Sequence, residues 1–133
     1  MAFGVATVLT NGGKAITAKR LIGATPSQTE PKYLALGVGA TGADRTALAA
    51  NTVLSSELAE GRATCTASTV TTSQTDDTYQ AVGTVTASGS RAVDEGGLFD
   101  ANTAGNMFLS ATFNVVNLSS GDSLQITAKV QYT

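Results

Sequence analysis

Residues 90–100, SRAVDEGGLFD, crowd an arginine, two adjacent carboxylates and two adjacent glycines into one run. Paired carboxylates do acid–base work when both face one substrate, about 5 to 9 Å apart, in surroundings that split their pKa values. Neighbouring residues of a regular strand point to opposite faces, so Asp94 and Glu95 cannot share a cleft. Arg91 and Glu95 fall on the same face, but too far apart for a close ion pair unless the chain bulges. Gly96-Gly97 supply a bulge or tight bend, after which Leu98-Phe99 turn into the core. The run therefore reads as a structural corner with no catalytic residue assigned. The role that remains for Arg91 and Glu95 is a contact between subunits.

Other residue types with chemical potential read in the same way. Gly37-Val38-Gly39-Ala40-Thr41-Gly42 spells GxGxxG after the strand-like YLAL, with Glu57 at a tolerable distance for a ribose-binding acid. A dinucleotide fold, however, needs a βαβ unit and strongly apolar parallel strands, whereas the downstream chain here is a series of Thr-rich alternating runs. The segment reads as a glycine-rich connection, and no cofactor is assigned. Asp76-Asp77 lacks the spaced oxygen ligands of a calcium loop and reads as a hairpin tip. Cys65, the single cysteine, has no cationic sequence neighbour to lower its pKa and reads as a buried, inert thiol. The chain has no histidine, which excludes Ser-His-Asp triads, Cys-His dyads and Cys/His zinc sites. No metal site is assigned.

These residues must be positioned by about one domain's worth of chain, 133 residues. The net charge of −2 and the lack of any basic run longer than Lys19-Arg20 argue against nucleic acid as a partner. Charged residues are only 14% of the chain, which suits a surface held against other subunits. The start, MAFGVATVLTNGG, has no signal-peptide pattern, and no apolar run approaches the roughly 20 residues that cross a bilayer. The expectation is a protein made in a cytoplasm, with no membrane partner. Asn117-Leu118-Ser119 fits a glycosylation acceptor pattern that such a route would leave unused.

Hydrophobic periodicity predicts an antiparallel all-β protein. In SLQITAKVQY, Leu124, Ile126, Ala128, Val130 and Tyr132 alternate with polar residues, and Met107, Leu109, Ala111, Phe113 and Val115 alternate likewise. LSSGDS between them favours a turn. RATCTASTVTT and TYQAVGTVTAS form a second pair, with Ala63, Cys65 and Ala67 on one face and threonine favouring extended chain. FGVATVL and KAITAKRLI flank Thr10-Asn11-Gly12-Gly13, and Asn-Gly predicts a hairpin with a type I′ turn. Residues 44–60, DRTALAANTVLSSELAE, read as a short helix capped by Asp44 or as a packed loop. ATPSQTEP, residues 24–31, holds both prolines and separates an N-terminal arm or hairpin (1–30) from the main body (31–133). The expected fold is a single β-sandwich or jelly-roll-like domain of roughly seven to nine strands.

Three segments, PKYLALGVGATGADRTALAANTVLSSEL, SRAVDEGGLFDANTAGNMFLSATF and GDSLQITAKVQYT, together span about residues 31–133. In order and texture they resemble the small virion structural proteins of tailed bacteriophages. The resemblance implies a non-enzymatic β-sandwich repeated many times in a particle and located in the virion. One form is a capsid decoration (cement) protein on the major capsid protein, a homo-oligomer such as a trimer. The other is a tail, baseplate or fibre component. The resemblance transfers no catalytic residue. In the decoration reading, an apolar N-terminal arm carrying Phe3, Val5 and Val8 adds a strand to a neighbour's sheet edge. A different class, a carbohydrate-binding or hydrolytic module with its site on the sandwich loops, is disfavoured by the absence of tryptophan and the aromatic content of 5%.

Overall fold

The structure is a computed structural model that describes residues 5–23, 29–40 and 46–133. Its elements in chain order are β1 (Val5–Leu9), α1 (Asn11–Leu21), β2 (Tyr33–Val38), β3 (Ala63–Thr64), β4 (Thr66–Val70), β5 (Thr78–Thr86), β6 (Arg91–Phe99), β7 (Met107–Leu118) and β8 (Ser123–Gln131). One sheet has five strands in the order β1-β7-β6-β2-β3, the other three in the order β4-β5-β8. Every pairing is antiparallel. The expected all-β sandwich is thus the observed fold.

Period-2 alternation works on β5 and β8 as the sequence predicts. Ala81, Gly83 and Val85 of β5 pair in register with Ala128, Ile126 and Leu124 of β8, and this face packs toward the five-stranded sheet. Thr84 and Thr86, along with Gln125 and Thr127 on β8, face out. The main core lies between the sheets and includes Leu34, Leu36, Val93, Leu98 and Phe108. A second cluster, Ala35, Leu54, Phe99 and Met107, covers the opposite face of the five-stranded sheet. That is why Leu34–Gly37 of β2 and Val93–Phe99 of β6 are buried without alternation: both faces of these strands are covered.

The two sheets share one stretch of chain. β3 pairs with β2 and β4 pairs with β5, so the chain changes sheets at Cys65. The Cys65 amide donates to the Lys32 carbonyl at 2.7 Å, and its side chain is buried. Gly83 makes this corner fit, since a β-carbon there would lie 2.6 Å from the Cys65 sulfur.

Two sequence expectations fail near the glycines, and in the long loop one of the two expected alternatives is the one observed. Thr10-Asn11-Gly12-Gly13 is the start of α1, not a hairpin turn, and KAITAKRLI is helical rather than extended. Thr10 is fully buried and caps the helix, its hydroxyl oxygen accepting from the Gly13 amide at 3.1 Å and donating to the Met107 carbonyl of β7. Gly12 and Gly13 let the helix touch β7: a β-carbon on Gly12 would sit 2.8 Å from the Met107 oxygen, and one on Gly13 2.3 Å from the Phe108 oxygen. Lys19 and Arg20 in the last turn favour the helix dipole. Residues 46–60 contain no helix and are the packed loop, burying Ala47, Leu54 and Leu58 and leaving Leu48 exposed; Asp44 lies outside the described residues.

The N-terminal strand is also placed differently from a free arm. β1 pairs with β7 of its own chain, Val5 opposite Phe113 and Val8 opposite Ser110. β1 is thus an edge strand of its own five-stranded sheet, while Phe3 lies outside the described residues.

Replacing Thr10 by Ala removes the cap and leaves buried polar groups of α1 and β7 unsatisfied. We expect a loss of about 1–2 kcal/mol, read from the denaturant midpoint at unchanged m-value.

Candidate functional site

SRAVDEGGLFD forms β6, an interior strand between β2 and β7. Asp94, Glu95 and Asp100 are all buried, with 3%, 1% and 5% of their surface exposed. A buried carboxylate is tolerated only with good hydrogen-bond donors. Each of the three finds main-chain donors in a different segment. Asp94 accepts from the Ala40 amide at 3.1 Å, just past the end of β2. Glu95 accepts from the amides of Ser55 and Ser56 at 2.5 and 3.2 Å. Asp100 accepts from the Asn106 amide at 2.6 Å and from its side-chain amide at 3.0 Å, closing the loop that joins β6 to β7.

The pairing register of β6 shifts at two places: against both β2 and β7 between Val93 and Glu95, around Asp94, and against β7 again between Leu98 and Phe99, directly after the two glycines. Gly96 and Gly97 lie in paired strand, opposite Leu36 and Ala35. Gly97 is needed for packing: a β-carbon there would be 2.9 Å from the Phe99 ring and within 3.2 Å of Met107 and Leu54. Leu98 and Phe99 are buried as expected, but on opposite faces of the sheet, in the two separate clusters.

Glycine 37, the first position of the GxGxxG pattern, serves Glu95. The two residues are paired across β2 and β6, and a β-carbon on Gly37 would sit 2.6 Å from the Glu95 carboxylate oxygen and 3.0 Å from the Ser56 carbonyl. Around this contact the long loop lies along β2: the Val38 amide donates to the Ser56 carbonyl at 2.9 Å, and the Leu58 amide to the Leu36 carbonyl at 2.9 Å. Glu57 is engaged elsewhere. Its carboxylate takes a two-pronged bond from Arg62, Nε at 2.8 Å and Nη2 at 3.0 Å. The Arg62 guanidinium stacks over Phe99 with its central carbon 3.6 Å from the ring centroid, and donates to the carbonyls of Ala101 and Ala104.

Of the residues expected at a subunit contact, the structure brings Arg91 and Glu95 onto one strand but not together. Glu95 faces inward with 1% exposure, which corrects its placement at an interface. Arg91 pairs with Glu60 at 2.8 Å. Glu60 also accepts from the Ser88 amide and hydroxyl, and these bonds, the amide foremost, with help from Arg91, hold its carboxyl down to about 2. At the other end of the small sheet, Asp77 accepts from the amides of Thr72, Ser73 and Gln74 and from the Thr78 hydroxyl. Those bonds, that of Gln74 foremost, hold its carboxyl far below the usual range. Burial pushes the Cys65 thiol up, away from reactive thiolate.

Arg62 and Glu60 carry no mark in the sequence, whereas Asp77 belongs to the hairpin tip and Asp100 to the run SRAVDEGGLFD; for none of the four does the sequence name the groups that it binds. Among the described residues no group of three or more Asp, Glu or Cys is placed to hold a metal ion, and no helix is long and apolar enough to cross a membrane.

The fold and this strand together define the class: a two-sheet antiparallel β-sandwich whose buried acids fasten loops to an interior strand. No protein-family model, curated protein or solved structure matches the chain.

Glu95→Ala should destabilise the fold by about 1–3 kcal/mol, because the amides of Ser55 and Ser56 lose the acceptor that holds the loop. Gly37→Ala should cost about 1–3 kcal/mol through overpacking against the same carboxylate, and both are checked by equilibrium unfolding. For Glu60 the folded pKa lies below its unfolded value of about 4.5, so its contribution is full above that pH and is lost as pH falls toward about 2. Stability measured across that window should fall in the wild type, and Glu60→Gln should flatten that part of the profile.

Proposed function

We propose that the chain is a non-enzymatic structural protein of a tailed-bacteriophage particle, in the first instance a capsid decoration protein bound to the outer face of the major capsid protein shell. The observation that carries this reading is the use of the acids in SRAVDEGGLFD. Asp94, Glu95 and Asp100 are each bonded to main-chain amides of the same chain, an arrangement that rigidifies loops and presents no pair of carboxylates to a substrate. Three further charged side chains, Glu60, Arg62 and Arg91, close loops in the same manner. A small, rigid, weakly charged sandwich is suited to being repeated across a lattice of other subunits, and the texture of residues 31–133 resembles virion proteins of this kind.

The reading is tested by adding purified protein to assembled phage shells that lack it and measuring co-sedimentation and shell stability. Saturable binding at a fixed number of copies per shell, with slower shell disruption on heating, is the expected result. Labelling confined to tails in immuno-electron microscopy would replace decoration by a tail, baseplate or fibre role. Glycan hydrolysis lost on Glu95→Gln with the fold intact would overturn the structural reading altogether.

A further inference from the structure

Beside α1 the sandwich carries a cleft of ≈ 530 Å³ that shares no lining residue with the acids of β6. It lies between the helix, the connection at Glu30-Pro31 and one end of the small sheet, and its size is ordinary for a small-molecule site. Of the chain's three tyrosines and four phenylalanines, Tyr79, Tyr132 and Phe108 all line it. They come from β5, from the residue after β8 and from β7, so the sequence gives no sign that they gather.

Tyr79 and Phe108 meet edge to face, ring centroids 5.9 Å apart and planes at 71°, and so form a corner of two nearly perpendicular aromatic walls. The Tyr79 hydroxyl donates to the Pro31 carbonyl, which fixes that ring, and the Tyr132 amide donates to the Asp77 carbonyl at 2.9 Å. Tyr132 stands half exposed at the mouth. The two charged residues of the lining, Arg20 and Glu30, are 3.6 Å apart, with side chains 46% and 63% exposed. Burial foremost, then the neighbouring Cys65, Tyr132 and Glu30, push the Tyr79 hydroxyl up to about 12, so the Glu30 carboxylate is close enough to act on that ring.

Aromatic faces attract cations, most strongly those that give up their water easily. A lysine-type ammonium is strongly hydrated, and a cleft lined mostly by carbon offers it few hydrogen bonds in exchange. A trimethylammonium group brings its charge wrapped in methyl groups and asks for no hydrogen bond. A cation alone would meet Arg20 as well as Glu30, whereas a zwitterion satisfies both, and the planar guanidinium fork of Arg20 suits a phosphate. We propose that this cleft binds phosphocholine, its trimethylammonium group against Tyr79, Tyr132 and Phe108 beside Glu30 and its phosphate on Arg20. A hydrocarbon would leave both rim charges unused. The site draws on none of the residues that carry the proposed function and stands or falls separately from it.

Isothermal titration of the full chain with phosphocholine tests it. Saturable binding with Kd of about 1 mM or tighter is expected. Tyr132→Ala should weaken it at least about fivefold, and Tyr132→Phe should stay within about twofold of the wild type. Glu30→Gln should weaken phosphocholine and choline alike, whereas Arg20→Gln should weaken phosphocholine and not choline. Because all three side chains are substantially exposed, the variants should keep the wild-type thermal midpoint. Neohexyl phosphate, the isostere with carbon in place of the ammonium nitrogen, should bind at least about tenfold more weakly. Co-sedimentation with phosphatidylcholine vesicles would assign the ligand to a membrane headgroup, and binding of the soluble compound without it would assign phosphocholine held free or on a polymer. Lack of saturable phosphocholine binding, equal binding of neohexyl phosphate, or a folded Tyr132→Ala variant that binds like the wild type would each overturn the proposal.

Discussion

The carboxylate of Glu95 must be compensated where it is buried, and much of the molecule is arranged around that requirement. Its donors are the amides of Ser55 and Ser56, so the long connection between β2 and β3 has to lie against the five-stranded sheet. Gly37 must lack a side chain for the carboxylate to reach them. Once the loop is held, Leu54 covers Ala35, Phe99 and Met107, and the outer face of the sheet gains its own small core. Removing one partner of such a contact costs more than the contact itself contributes, because the other is left buried and unsatisfied. The same logic recurs one residue earlier at Asp94 and five later at Asp100, so a single interior strand anchors three loops.

A second constraint closes the sandwich. The chain passes from one sheet to the other at Cys65, which ties β3 and β4 together on one side. On the other side β7 belongs to the large sheet and β8 to the small one, joined by the turn in which Asp122 accepts from the Ser119 amide at 2.8 Å. The sheets therefore meet firmly at one margin and part around a cleft at the other.

How far the fold is legible in the sequence depends on where its signals lie. β5 and β8 can be read because one face is buried and period-2 alternation survives in the sequence, whereas on β7 the alternation holds only over Leu109, Ala111 and Phe113: Met107 packs in the outer cluster and Val115 is exposed. β2 and β6 also read as strands, but the cover on their second face gives no local sign, since it depends on Leu54 arriving from a loop. Asn11-Gly12 misleads because its glycines answer to contact with the carbonyls of β7, not to positive φ in a turn. Helix α1 has almost no amphipathic pattern, burying only Gly13 and Ile16, so its clearest mark is the lone cap Thr10. The acids of β6 are unsuited to a shared cleft, as strand geometry alone indicates. Their amide partners lie 39 to 54 residues away for Glu95 and Asp94 and carry no side-chain signature, so the loop-fastening role emerges only in three dimensions.

Native-state hydrogen exchange at the Ser55 and Ser56 amides tests the central claim most directly. If the Glu95 carboxylate binds them, both amides are protected in the wild type and lose that protection in Glu95→Ala, while amides of the β5–β8 ladder keep theirs. Free exchange at both positions in the wild type would mean that the carboxylate is available for other work, and would contradict the account.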